Sequence, residues 1–235
     1  MTEGKDSSRA KPKPVRSRRR DLIELALAYG LILVVVWTPR PWQRYFWGLA
    51  VVSIAAIICF SFEGADAMGL RRRNFLRSLW VVGAALALSA AAVIVAAPLH
   101  TLQLQPSPMA YVKTFSGYAI WTFVQQFLMQ CFFLSRLVRL LPGPKSAALA
   151  TALIFALAHL PNPILTPVTL LWGFVACLLF LRYCNLYTLA MAHAIFGITV
   201  AITIPGPVVH NMRVGLGYLT YGHHAHPQPL PLLKP

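Results

Sequence analysis

Two histidines and three glutamines, His159, His193, Gln125, Gln126 and Gln130, stand in apolar surroundings in this chain. Its six carboxylates (Glu3, Asp6, Asp21, Glu24, Glu63 and Asp66) all lie in the first third. Polar side chains at membrane depth need partners and mark places where something is bound or converted. An imidazole can accept, donate or relay a proton. A carboxamide keeps the shape of a carboxyl group and can hold a water, but it takes up no proton near neutral pH. The set has the outline of a hydrolytic site without its acids.

The elements that must position these groups are membrane helices. Hydrophobic residues make up 57% of the 235 residues and charged ones 11%, which argues against a soluble domain. Runs of roughly 20 apolar residues can cross a bilayer as helices. Seven are expected, at about 22–38, 45–62, 79–98, 112–134, 146–160, 164–181 and 186–204, the fifth being short and ended by Pro161 and Pro163. The first run is not expected to be a cleaved signal, because Thr38-Pro39-Arg40-Pro41 leads straight into the next.

The net charge of +15 is distributed along the chain. Residues 1–20 carry eight Lys and Arg among prolines and serines and read as a disordered basic arm that sets topology and touches anionic lipid. No aromatic-bearing module accompanies them, so nucleic acid is not an expected partner. With the arm in the cytoplasm, the segments 63–77 and 135–145 and Arg182 fall on the same side. That places 16 of the 21 Lys and Arg inside and leaves Arg40, Arg44, Lys113, Arg213 and Lys234 outside. The four cysteines form no CxxC or Cys/His ligand pattern, and no metal or cofactor is expected. The histidines of the tail, His223, His224 and His226, read as solvated. Residues 210–218 look like an outer hairpin or re-entrant cap.

On a helix, Gln126 and Gln130 are four apart and share a face, with Gln125 about 100° around from Gln126. Phe155 and His159 share a face in the same way, as do His193 and Gly197. Cys131 is rotated about 140° from Gln126, and two histidines are too few for a stable zinc site. Glu24, the one carboxylate inside a span, is expected near the cytoplasmic end of the first and far from His159.

With Phe155-Ala-Leu-Ala-His159-Leu-Pro-Asn, Leu189-Ala-Met-Ala-His193-Ala and the preceding glutamine pair, the chain resembles the CAAX-protease and bacteriocin-processing (CPBP) intramembrane endopeptidases. The resemblance covers roughly residues 69–204. That family carries EExxxR, then FxxxH, then HxxxN or HxxxD. It implies that His159 and His193 are retained catalytic positions, that Gln125 and Gln126 replace a glutamate pair, Gln130 an arginine and Gly197 an asparagine. It further implies a water activated by a glutamate and the first histidine, and an oxyanion held by the second histidine and the asparagine.

The expectation is an all-α polytopic membrane protein with seven or eight transmembrane helices around a buried polar cavity. It is organised as a basic arm (1–20), two leading helices (21–68), a CPBP-like core (69–204) and an outer cap with a polar tail (205–235), in a bacterial plasma membrane. Loss of a general base costs about 10²–10⁴ in rate and loss of an oxyanion donor about 10²–10³. A relative with weakened or absent proteolysis that binds a peptide or membrane-protein partner is therefore preferred. An active peptidase with an altered site and an unrelated small transporter are the alternatives.

Overall fold

The first helix, α1 (Arg18–Trp37), starts where Ser17 accepts a hydrogen bond from the Arg20 amide at 3.3 Å, satisfying one of the open donors of the first turn. Arg18, Arg19 and Arg20 are therefore helical and do not belong to a disordered arm. The computed structural model describes residues 17–62, 64–70, 72 and 74–221. The remaining arm, and the tail with its three histidines, lie outside the described residues.

Every regular element among the described residues is helical. After α1 come α2 (Gln43–Phe60), a short α3 (Phe75–Ser78), α4 (Trp80–Ala96) and α5 (Pro108–Phe127). α5 opens on Ser107, whose hydroxyl accepts from the Ala110 amide, with Pro108 in the first turn where its missing N–H costs nothing. It runs on through a π-helical turn, Leu128–Leu134, into α6 (Ser135–Leu140). Pro142 and Pro144 then stop the helix and start α7 (Pro144–Leu157). α8 (Leu165–Tyr183) and α9 (Leu186–Thr203) follow, and Asn185 caps α9 by accepting from the Thr188 amide. α10 (Gly206–Val209), a 3₁₀ turn (His210–Met212) and α11 (Gly215–Leu219) form the cap.

Four of these stretches are long and apolar enough to cross a membrane: Gln43–Phe60, Phe75–Ala96, Leu165–Tyr183 and Leu186–Thr203. The seven expected runs all fold as helices, but length and composition mark four as spans, not seven or eight. α1 brings Arg20, Asp21 and Glu24 into its first turns, and α5 carries Lys113, Gln125 and Gln126. α7 is apolar but only 14 residues long.

α9 lies between α4 and α5, α7 runs along α8, and α1 runs along α2 while touching α6 and α11. Where α7 and α8 pack, both bury small residues, Ala148, Ala152 and Ala156 on one and Gly173, Ala176 and Cys177 on the other. A Cβ at Gly173 would come within 3.3 Å of the Phe155 ring. Close approach of this kind is how membrane helices gain van der Waals contact without a hydrophobic driving force.

Arg136 and Arg139, expected in a cytoplasmic loop, are instead drawn onto α1. Arg139 makes a two-pronged pair with Asp21, both contacts at 2.9 Å. Arg136 is 2% exposed and donates to Glu24 through Nε at 2.9 Å and Nη2 at 2.6 Å. It also donates to the Ser61 hydroxyl and the Phe132 carbonyl, and its guanidinium stacks 3.7 Å from the Phe132 ring. Arginine suits such a place because its planar fork fills several acceptors at once.

Candidate functional site

The site begins on α5. Gln126 and the π-turn residue Gln130 are both fully buried, and the Gln130 amide nitrogen donates to Gln126 Oε1 at 3.1 Å. The Gln126 amide nitrogen lies 3.2 Å from Nδ1 of His193 on α9. With the amides in this orientation, Gln126 donates and His193 Nδ1 accepts. The ring proton of a neutral His193 is then on Nε2. Glutamate at 126 and arginine at 130 would make an ion pair one turn apart. The two glutamines replace that pair by an uncharged amide chain of the same reach. The Gln130 carbonyl oxygen has no hydrogen-bond partner among the described residues.

His159 is held differently. α7 ends at Leu157, and His159 sits in the turn that follows, its amide bonded to the Ala156 carbonyl. Its Nδ1–H donates to the Phe155 carbonyl at 2.7 Å, so Nε2 is left as an acceptor. The Phe155 ring packs edge-on against both imidazoles, with centroids 4.7 Å from His159 and 5.8 Å from His193. One imidazole thus has an acceptor to offer, the other a donor.

A cavity of about 300 Å³ joins them. Tyr118, Trp121 and Gln125 line it from α5, Trp172 from α8, His193 and Gly197 from α9, and Asn211, Met212 and Val214 from the cap, with His159 completing the wall. No carboxylate of the described residues lines it. A second, apolar space of about 170 Å³ shares Trp121, Gln125, His159 and Val214 with the first. Gln125 and His159 therefore stand between the two. Gln126, expected among the catalytic positions, lines neither space and is bonded to His193 instead. Cys131 turns away and donates its thiol to the Met68 carbonyl. Glu24 is engaged by Arg136 and Arg20 at the other end of α1. Among the described residues no group of three His, Cys, Asp or Glu comes together.

Sequence reasoning missed two further residues. Asn162, fully buried, donates to the carbonyls of Val209 and Arg213 at 2.9 and 3.1 Å, while its oxygen accepts from the Ile164 and Leu165 amides. It ties the turn after His159 to a cap whose His210, Asn211 and Met212 all have positive φ, at 47°, 50° and 58°. Such backbone persists only where surrounding contacts over-determine it. The signal available was the Asn in His159-Leu-Pro-Asn. Replacing it, Asn162→Ala, is expected to cost at least about 2 kcal/mol, from a lost cap and stranded carbonyls. Thermal unfolding reads the loss, and limited proteolysis should cut first within 206–221. The other missed residue is Tyr118, whose hydroxyl sits where a Cβ on Gly197 would go.

Residues 108–199 match the family model for type II CAAX prenyl endopeptidases, Rce1-like, consistent with membership of the CPBP family. That segment runs from the start of α5 into α9 and contains both histidines and all three glutamines. No curated protein and no solved structure matches the chain. The family match and the apolar helices together indicate an integral membrane protein.

Proposed function

We propose, for a chain whose α5–α9 segment is of the Rce1-like CAAX-protease family, that it binds a membrane-proximal peptide in the His159–His193 cavity and hydrolyses it weakly or not at all. The observation that carries this reading is the lining: two imidazoles, a glutamine and aromatic rings face one space, with no carboxylate among them. His159 Nε2 can orient a water, but no neighbouring acid takes the proton onward. General-base catalysis contributes about 10²–10⁴ in rate. Binding needs none of this, because amide, imidazole and aromatic groups satisfy a peptide's carbonyls and apolar side chains directly.

The test is equilibrium binding of a fluorescein-labelled apolar pentapeptide to the full chain in lipid nanodiscs. Saturable binding that is weakened by Val168→Trp, which fills the cavity from α8, is expected. Binding unaffected by that change would place the ligand site elsewhere, and no binding at all would overturn the reading.

The same architecture supports one orientation in the membrane. α1 carries Asp21 and Glu24 against Arg136 and Arg139 at one end, and Val36 against Gly215 of the cap at the other. With the arginine-rich end in the cytoplasm, the cavity opens toward the outer half of the membrane. In a cysteine-free background, Pro106→Cys should react with an impermeant maleimide on intact cells and Arg72→Cys only after lysis. The reverse pattern would invert the topology.

A further inference from the structure

Gly197 lies one turn beyond His193 on α9, and a side chain there would enter the cavity wall. The space is taken by Tyr118 of α5: a Cβ built on Gly197 would overlap the Tyr118 hydroxyl, and Cζ and Cε1 follow within 2.6 Å. The glycine is thus the socket for this phenol. Tyr118 lines the cavity with both histidines, and its hydroxyl makes no hydrogen bond to any described residue. Beside it, a neutral His193 carries its proton on Nε2, because Nδ1 is occupied by Gln126. Trp172, 8% exposed and in the same wall, has an indole N–H without an acceptor among the described residues. A buried donor left this way is costly until an acceptor arrives. The neighbouring outer pocket, which shares Met212 and Val214 with the cavity, holds Arg40 and Arg213. The surroundings are rich in donors, positive at the mouth and free of acids.

We infer that Tyr118 is a ligand-binding residue and that the group it receives is a carboxylate, such as the C-terminal carboxylate of a bound peptide. This rests on the binding reading above and names its ligand chemistry. A charge-assisted hydrogen bond from a phenol is short and about twice as strong as a neutral one. A carboxylate can accept from several of these donors at once, whereas an amide offers them a single oxygen and must turn its NH₂ toward an acceptor such as His159 Nε2. A free fatty acid carries the same group, so the two sources must be separated.

The experiment titrates the full chain in nanodiscs, following Trp121 and Trp172 fluorescence, with three probes: acetyl-Leu-Ala-Leu-Leu-Leu with a free carboxylate, the same peptide as its C-terminal amide, and laurate. Wild type is expected to bind the acid peptide about tenfold or more tighter than the amide. Tyr118→Phe should abolish most of that difference. Tyr118→Ala with Gly197→Asn, which exchanges the donor between helices, should restore part of it. Laurate binding with the same Tyr118 dependence, and no peptide preference, would assign the carboxylate to lipid. Equal binding of acid and amide overturns the inference while leaving the binding function standing. Binding of none of the probes overturns both. If Tyr118→Phe does not fold, the acid-to-amide ratio of wild type and the exchange variant decide.

Discussion

Removal of either partner of the Glu24–Arg136 pair is expected to destabilise the protein by about 3–5 kcal/mol, because it takes from a buried charge its bidentate, buried counter-charge. Arg136 is almost completely buried and its donors are spent on Glu24, Ser61 and the Phe132 carbonyl. Glu24→Ala takes the carboxylate from a buried guanidinium, and Arg136→Ala takes from Glu24 its buried partner while the half-exposed Arg20 stays beside it. The double replacement Glu24→Leu with Arg136→Met should recover most of the loss, since well-packed apolar residues often equal a buried ion pair. Reversible unfolding in mixed micelles measures all three. A double variant no better than the singles would mean that the pair itself, not its symmetry of charge, holds α1 to α6. Surface pairs contribute about 0–1 kcal/mol, so a single-variant loss in that range would show the network to be solvated.

The second large effect concerns the two adjacent glutamines, which the structure separates by role. Gln125 lines the cavity beside His159, whereas Gln126 is sealed behind His193. A carboxylate at 125 would stand where it can take a proton from a water held near His159. Gln125→Glu is expected to raise peptide hydrolysis by about 10²-fold, the lower end of a general base's contribution. Gln126→Glu alone should leave hydrolysis at the wild-type level. Its carboxylate would accept from Gln130 and from a His193 ring reprotonated on Nδ1, so the fold survives. Initial rates from peptide mass spectra distinguish the two. A gain from Gln126→Glu with none from Gln125→Glu would reverse the assignment of the facing residue.

Much of this arrangement was legible in the residues themselves. The seven apolar runs fold as helices close to the expected limits. The four-residue spacing brought Gln126 to Gln130, and Phe155 to His159, because helix periodicity is local. What escaped depends on contacts between distant segments. Arg136 and Arg139 had the charge pattern of a cytoplasmic loop, and nothing local reveals that Asp21 and Glu24, over a hundred residues upstream, would draw them into a packed helix. Gly197 read as a lost donor. Only the crossing of α5 and α9 shows that its missing side chain makes room for Tyr118. The choice between Gln125 and Gln126 as the facing residue likewise required the position of α9, and the number of spans turned on the charged first turns of α1 and the low hydropathy of α5.

The central claim is that this site binds without efficient cleavage. The most direct measurement is a long single-turnover assay, with excess full-length protein in nanodiscs and the acid pentapeptide followed by mass spectrometry, comparing wild type with His159→Ala. The account predicts at most a trace of cleaved peptide in either, with the bulk left intact. Efficient cleavage by wild type that disappears in His159→Ala would contradict it, and would show that a glutamine-lined cavity with two imidazoles can carry the hydrolysis by itself.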